Sequence, residues 1–410
     1  MAERTTGLGV GQGTALLVGA VLGPGMLALP QLAAAAAGPA SVLAWAALLT
    51  LSVPVALTFA ALGSRHPGGG GVAAFTGLAF GRRAAAVAGW WFFGSVPLGI
   101  VAGALVGAKY VAASFGVPPL LAAAVLLGGA FLVNAAGLRT SGRLQVALVS
   151  LLVALLAVAV LTAAPHAGTS GFTPFAPYGA AGVVSAAGVL MFAFVGWEAA
   201  SHLSAEFAAR GGLLRATVVT LAVISVLYLS VSLTTIGVLG PAAATTAAPL
   251  TALLETGIGA AARPLTGVLA VLLTFGAINA YIAGAARLGA ALARDGALPG
   301  WFAEGDGPGR TPLRSLALLA AITAPVLVWA VDLDTLMRAT SACLAAVTFA
   351  GVSAAVRVLP AGRHRATALV ASVLSLLALA ACGAYLLVPA VLAGVAVVAL
   401  KAGERRPLPR

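Results

Sequence analysis

The chain of 410 residues is 61% hydrophobic and 8% charged, and its mean hydropathy is +1.09. A soluble chain of this size would carry about 25% charged residues, so the composition excludes an ordinary soluble protein. The net charge of +12 does not indicate a nucleic-acid partner, because the basic residues lie between apolar segments and not on one face of a soluble unit. We therefore expect one integral membrane domain, residues 1–410, whose partner is the lipid bilayer.

Long apolar segments recur along the whole chain, and a segment of about 18 or more residues can cross about 30 Å of hydrocarbon. We predict an all-α integral membrane fold with twelve transmembrane helices joined by short connections. The last two spans are short and closely linked, which favours a hairpin. The predicted spans are residues 11–36, 40–63, 85–112, 119–136, 145–164, 180–203, 216–239, 264–286, 314–331, 338–356, 366–381 and 384–400.

The basic residues predict the orientation of the chain. With the N-terminus placed in the cytoplasm, all of the 22 Lys and Arg residues except Lys109, Arg263 and Arg338 fall on the cytoplasmic side. This bias is the positive-inside pattern of multi-pass proteins. We therefore expect a multi-pass protein of the cell membrane with both termini in the cytoplasm.

Two predicted spans carry an interruption. In the first, "GAVLGPGMLALP" (residues 19–30) places Gly23, Pro24 and Gly25 in the middle of an apolar segment. The sixth carries the stretch "FVGWE" (residues 194–198), with a glycine and a charged residue near its middle. Interrupted helices at matching positions of two halves indicate a transporter's binding site. The alternative is that these glycines only allow close helix packing.

The spacing of the two interruptions predicts an internal repeat. Spans 1–5 (residues 11–164) and spans 6–10 (residues 180–356) form two five-helix units. Because each unit has an odd number of crossings, the second inserts upside down relative to the first. The two helices at 366–400 are additional to this repeat.

The first interruption predicts a polar cavity inside the membrane. Proline removes an amide donor, and glycine disfavours helical geometry by about 1 kcal/mol. In lipid, each freed backbone group costs several kcal/mol unless protein or water satisfies it. We expect a second half-helix to start near Met26 with its amino end in the cavity, where amides and the helix dipole suit a carboxylate. A plain packing kink is the alternative.

Glu198 is the only acidic residue deep in a predicted span. An unpaired carboxylate in hydrocarbon is costly, so it is a functional candidate. It is expected to carry a coupling proton or to anchor a substrate amine; the alternative is a structural acid bonded to the opposite interruption. His202 lies four residues later on the same helix face, either as a relay partner or as an interfacial histidine.

Other candidates are less specific. Phe194 and Trp197 flank the glycine of the sixth span and can either cap an apolar substrate or pack helices. Asn279 and Tyr281 are polar groups in the apolar eighth span and are candidates to line the cavity. One membrane carboxylate, two isolated cysteines and scattered histidines make no catalytic or metal-binding cluster. We therefore predict no cofactor, no metal site and no enzymatic activity.

Several motifs occur in a characteristic order along essentially the whole chain. Pro30 follows the first glycine break, and Phe194, Gly196 and Glu198 form an "FxGxE" pattern in the sixth span. Further matches are Pro67–Gly71, "NAAGLRTSGRLQ" (residues 134–145) and "ARDGALPGWF" (residues 293–302). This pattern resembles the amino acid–polyamine–organocation (APC) permeases, and most of all their branch of methionine and branched-chain amino acid exporters.

The resemblance implies the inverted-repeat fold of the leucine-transporter (LeuT) type, in which discontinuous helices 1 and 6 bind an amino acid between them. It implies carboxylate contacts with backbone groups near Gly23, Gly25 and Met26, and amine contacts with carbonyls near positions 194–196. The candidate substrate-binding residues are therefore Gly23, Pro24, Gly25, Met26, Phe194, Val195, Gly196, Trp197 and Asn279.

Two departures from the family pattern affect these expectations. Pro24 contributes no N–H, so the carboxylate site has one donor fewer than a Gly-Ser-Gly version. The fifth span has no lysine, so the proton-bearing lysine of some relatives is absent and proton coupling falls to Glu198, with His202 as a possible partner. We expect a secondary transporter of neutral apolar amino acids, an exporter coupled to protons. Proton-coupled uptake and exchange are the alternatives.

Overall fold

A computed structural model describes most of the chain, and its regular elements are helices. Their bounds are α1 Val10–Leu22, α2 Leu29–Ala37, α3 Ser41–Arg65, α4 Gly71–Phe80, α5 Arg82–Phe115, α6 Pro119–Ala135, α7 Gly142–Ala163, α8 Gly179–Leu190, α9 Gly212–Leu239, α10 Pro249–Ile258, α11 Ala262–Arg294, α12 Leu313–Val328, α13 Leu333–Val358, α14 Arg363–Ala380 and α15 Leu387–Glu404. The described residues are 9–66, 71–137, 142–194, 196–197, 200, 207, 211–304, 311–329 and 331–404.

The length and composition of the helices agree with those of a membrane protein. By length and composition, eight helical segments of the described chain can cross a membrane, and five further apolar helices are shorter. Every predicted span overlaps one or more of the helices, whereas the count of twelve crossings and the inverted repeat stay predictions. Two ten-residue helices, α4 and α10, lie in segments that the sequence predicts to be connections.

The interior of the bundle is built around α5, which packs against α6, α11, α13 and α15. Small residues let α5 and α11 approach closely. A Cβ atom on Gly89 would lie 2.7 Å from a methyl of Leu292, and one on Gly107 would lie 2.9 Å from Thr274 Oγ1. Membrane helices gain their packing energy from such close contact, because lipid offers no hydrophobic drive for association.

The last two helices do not pack as the predicted hairpin. Among the described residues, α14 packs mainly against α3 and α13, whereas α15 packs mainly against α5. A 3₁₀ turn at Gly383–Leu386, with Gly383 at a φ of +57°, separates them. Both helices expose apolar side chains such as Leu377 and Val398, which suits a surface against lipid.

The first interruption is confirmed as a break in the helix. α1 ends at Leu22, and Gly23 has a φ of +33°, which favours glycine. A 3₁₀ turn then runs over Pro24–Leu27. α2 begins at Leu29 and not near Met26, since the 3₁₀ turn occupies the residues between the two helices. Pro30 lies in the first turn of α2, where its missing N–H costs no intrahelical bond.

The second interruption follows α8. The helix ends at Leu190 and continues as a 3₁₀ turn over Met191–Ala193. Gly196 then adopts a φ of +118°. Val195, Glu198 and His202 lie outside the described residues, so their predicted roles stay predictions.

Candidate functional site

A cavity lies between the two interruptions, in the middle of the bundle. Gly23 and Gly25 of the first interruption form part of its wall, and Phe192 and Ala193 of the second form another part. Helices α5, α11 and α13 complete the wall. Its volume is about 40 Å³, room for a few water molecules. The cavity is therefore smaller than an amino acid.

The wall is mainly apolar and carries few polar groups. The side chains that contribute hydroxyls are Ser95 on α5, Tyr281 on α11 and Thr340 on α13. The Ser95 hydroxyl donates to the carbonyl of Phe92 at 2.7 Å, and the Thr340 hydroxyl donates to Leu336 at 2.8 Å. An apolar wall with a few placed polar groups is the usual character of a small-molecule site.

The two interruptions are in direct contact. A Cβ atom on Gly196 would overlap the carbonyl oxygen of Ala20 and would lie 3.1 Å from the Cα of Val21. A Cβ atom on Gly25 would lie 2.6 Å from the ring of Phe192. Gly196 therefore requires glycine, both for the approach of the halves and for its φ of +118°, whereas a side chain at Gly25 would displace the ring of Phe192.

Tyr228 on α9 joins the two interruptions. Its hydroxyl lies 3.1 Å from the carbonyl oxygen of Val21 and 3.2 Å from that of Ala193. The side chain is fully buried. Carbonyls at the ends of interrupted helices lack an intrahelical donor, and in a membrane that deficit has to be met by protein or water. One hydroxyl therefore serves both breaks, sharing its proton between two acceptors.

A second buried tyrosine supports the first interruption from the other side. Tyr110 on α5 donates its hydroxyl hydrogen to the carbonyl of Leu27 at 2.7 Å. The hydroxyl oxygen of Tyr110 also accepts a hydrogen bond from the amide of Leu250, at the start of α10, at 3.3 Å. The break is thus held between α5 and the unpredicted helix α10.

Some predicted site residues lie away from the cavity. Phe194 packs edge-on against Tyr228, with ring centroids 5.6 Å apart, and lies 6.0 Å from Trp45. Trp197 is buried, and its Nε1 donates to Ser52 Oγ at 3.2 Å. Both aromatic rings are therefore part of the packing behind the second interruption.

The remaining predicted residues divide in the same way. Met26 is 1% exposed and belongs to the hydrophobic core. Asn279 is buried, and its Oδ1 accepts a hydrogen bond from Asn134 Nδ2 at 2.7 Å, which links α11 to α6. Gly23 and Gly25 are in the cavity wall, and Pro24 begins the 3₁₀ turn between them. The structure thus brings the first interruption and Gly196 together but places Asn279 in a separate contact.

Sequence reasoning missed Tyr228 and Tyr110. Each is a lone tyrosine inside an otherwise apolar span, and a buried phenol hydroxyl needs a hydrogen-bond partner. That rule could have marked both residues, but it could not have named their acceptors. Among the described residues, no group of three or more His, Cys, Asp or Glu side chains could hold a metal ion.

Comparison with known proteins agrees with this architecture. The amino acid permease family matches residues 8–401. The chain is 34% identical to the uncharacterized amino acid permease YecA of Bacillus subtilis, over 85% of this chain and 84% of that protein. It is 38% identical to the L-methionine/branched-chain amino acid exporter YjeH of Escherichia coli, over 49% of each chain.

A third relative is named for a different substrate. The methylthioribose transporter of Bacillus subtilis is 26% identical over 76% of this chain and 72% of that protein. All three names are those of membrane transport proteins and not of enzymes, in agreement with the sequence analysis. Together with the apolar helices, the match over nearly the whole chain shows that this multi-pass membrane protein belongs to the amino acid permease family.

Proposed function

We propose that this protein is a secondary transporter of neutral apolar amino acids, and that it exports methionine and branched-chain amino acids from the cell. The contact between the two interruptions over one cavity carries this proposal. Gly196 lies against Ala20 and Tyr228 is bonded to both sides, so two sets of interrupted backbone meet beside the central cavity, an arrangement typical of a transporter's binding site. Export is supported by the similarity to the L-methionine/branched-chain amino acid exporter of Escherichia coli.

The wall chemistry supports a neutral substrate. The described wall of the central cavity includes no Asp, Glu, Lys or Arg side chain. A cationic substrate would be left without a counter-charge there, and a charge in a low-dielectric site is costly without one. We propose that backbone groups at Gly23–Met26 receive the carboxylate and that carbonyls at positions 194–196 receive the amine.

Proton coupling is proposed for Glu198, with His202 as its partner, in a protein of the cell membrane with both termini in the cytoplasm. Twelve spans in a LeuT-like 5+5 inverted repeat are the proposed membrane topology.

The substitution Glu198→Gln separates proton coupling from substrate binding. We expect it to retain amino acid exchange and to lose flux driven by a pH gradient. If both activities are retained at the wild-type level, Glu198 is not the coupling group.

Counterflow into proteoliposomes tests the proposed function directly. Vesicles loaded with unlabelled leucine should accumulate labelled leucine or methionine when protein is present. Leucine should compete, whereas leucine methyl ester should compete at least about tenfold less well if a carboxylate contact is made. Failure of counterflow with every neutral amino acid would refute the proposal.

Methylthioribose is the control solute, because it has neither an α-carboxylate nor an α-amine. Its use as the competitor in the same vesicles separates an amino acid site from the sugar-derived substrate of the Bacillus relative. We expect no competition at concentrations where leucine competes fully. Stronger competition by methylthioribose than by leucine would reassign the substrate.

A further inference from the structure

A second and much larger cavity lies at the arginine-rich end of the bundle. Its volume is about 940 Å³, and it is lined by α4, α5 and α11, with Val347 of α13 and Leu400 of α15. A cavity of this size can hold a hydrated amino acid, since small-molecule sites measure about 300–1,000 Å³. Neither the family match nor the names of the relatives assign it a role.

The large cavity and the central cavity follow the same two helices. On α5, Phe92 belongs to the walls of both, with Gly89 on one side and Ser95 on the other. On α11, Tyr281 lines the central cavity, and Gly284, three residues later, lines the large one. The two cavities therefore lie in line along the α5–α11 groove and meet at Phe92.

The charge in this cavity has one dominant sign. Its described wall carries three arginines, Arg82, Arg287 and Arg294, and a single acidic residue, Asp295. Arg82 donates to the main-chain carbonyl of Asp295 at 2.6 Å, which joins the start of α5 to the end of α11. Arg82 and Arg294 thus mark the mouth of the cavity.

Arg287 is the deepest of the three. It lies seven residues before Arg294, which is about 10 Å further along the helix axis. Its side chain is exposed, and it makes no hydrogen bond or ion pair with the other residues that the structure describes. A cation at this depth has its field focused by the low-dielectric walls, so it concentrates anions and depletes cations near it.

We propose that the large cavity is the vestibule through which solute reaches the central cavity from the arginine-rich face, and that Arg287 makes it a charge filter. The filter admits the carboxylate of a neutral amino acid and holds back amino acids with a cationic side chain. This inference rests on the proposed function for its solute, but the field of Arg287 can be measured without transport.

The first test measures that field with an introduced thiol. Gly284 is suitable because a Cβ atom there would meet nothing within 4 Å, and the native Cys343 and Cys382 are buried. Gly284→Cys is treated with an anionic and a cationic methanethiosulfonate of similar size, in vesicles of zwitterionic lipid. The ratio of the two rates cancels any effect of Arg287 on the reactivity of the thiol itself.

We expect the anionic reagent to be favoured. Adding Arg287→Gln should lower the anion-to-cation rate ratio by about fivefold or more, and Arg287→Lys should preserve it. A higher salt concentration should reduce the difference in this rate ratio between proteins with and without Arg287. Arg263→Gln is the matched control, because Arg263 begins the same helix at its opposite end and pairs with Glu255. An unchanged ratio in Arg287→Gln, or a thiol that neither reagent reaches, overturns the inference.

The second test measures selectivity with norleucine and lysine, which have similar shapes but differ in the side-chain ammonium. Arg287→Gln should retain norleucine counterflow and let lysine compete several-fold better. If norleucine counterflow persists and the discrimination against lysine is unchanged, the charge filter is wrong, whereas the proposed transport function is retained. If no amino acid is transported at all, the proposed function fails and the thiol ratio still decides the filter. The thiol test is repeated in vesicles that contain anionic phospholipid. If the anion-to-cation rate ratio falls only in those vesicles, the large cavity binds a lipid head group, and the proposal that it is a vestibule is wrong.

Discussion

The two interruptions present different parts of the chain to the central cavity. At the first, Gly23 and Gly25 lie in the wall, so the main chain itself is available to a solute. At the second, Phe192 and Ala193 reach the wall, whereas Phe194 and Trp197 are buried in packing away from it. We infer that the main chain of the first interruption lines the site, whereas the buried aromatic side chains of the second fix how closely the two halves approach.

The two regions are nevertheless linked by one side chain. Tyr228 bonds to the carbonyl of Val21 at the first interruption and of Ala193 at the second. A change at either break is therefore expected to be felt at the other. Substitutions that separate fit, linkage and binding can test this division of roles.

Gly196→Ala should have the largest effect on stability, because it disrupts the close contact between the two interruptions. The new methyl would meet the Ala20 carbonyl, and alanine would have to adopt a φ of +118°. Strain and overpacking each cost about 1–3 kcal/mol, so a loss of roughly 3 kcal/mol in the free energy of unfolding is expected. Thermal unfolding in detergent measures it.

Gly284→Ala is the control for that substitution, since an added Cβ atom there meets nothing within 4 Å. It should leave the unfolding temperature near the wild-type value. Equal behaviour of Gly196→Ala and Gly284→Ala would mean that the second interruption does not set the approach of the halves.

Tyr228→Phe should have the next largest effect, because it removes the hydroxyl that joins the two interruptions and keeps the aromatic ring. Two buried carbonyls then lose their donor, at about 1–3 kcal/mol. We expect counterflow of leucine to fall by about tenfold, with the aromatic packing against Phe194 retained. Tyr385→Phe is the control, since that tyrosine lies in the turn between α14 and α15 and is not in the described wall of the central cavity. Full activity of Tyr228→Phe would show that the two interruptions act independently.

Much of the fold could be predicted because it depends on local composition. Each predicted span overlaps a helix, and glycine with proline at 23–25 breaks the first one regardless of its neighbours. The packing of α14 and α15 could not be predicted in this way. It depends on which grooves of α3 and α5 are open, and nothing in residues 363–404 encodes that.

The site could be predicted only in part, for a similar reason. Backbone features such as Gly23, Gly25 and Gly196 are visible as glycines in apolar runs. Side-chain direction is not visible, so Trp197 and Asn279 could be named as polar or aromatic candidates but not assigned to Ser52 and Asn134. Residues from distant segments, such as Tyr228, join the site only through tertiary packing.

The Asn134–Asn279 pair tests whether Asn279 belongs to the binding region or to the packing between α6 and α11. In a double-mutant cycle with Asn134→Ala and Asn279→Ala, a packing role predicts coupling of about 1 kcal/mol in the free energy of unfolding. Each single variant should leave the affinity for leucine nearly unchanged. Additive effects on stability, with a weakened affinity in Asn279→Ala alone, would return Asn279 to the site.

Thr340 and Ser341 give the finest comparison, because adjacent residues on α13 face different regions. Thr340 lines the central cavity, whereas Ser341 lies 3.2 Å from the carbonyl of Val189 on α8 and donates to it. Thr340→Val keeps the side-chain shape and should raise the leucine concentration for half-maximal counterflow by about fivefold, with little change in stability. Ser341→Ala should do the reverse and lower the free energy of unfolding by about 1 kcal/mol, because it removes a tie to the half-helix that precedes the second interruption. If both variants change affinity and neither changes stability, the half-helix before the second interruption contributes to binding and not to the approach of the halves, and the contrast between the two regions is wrong.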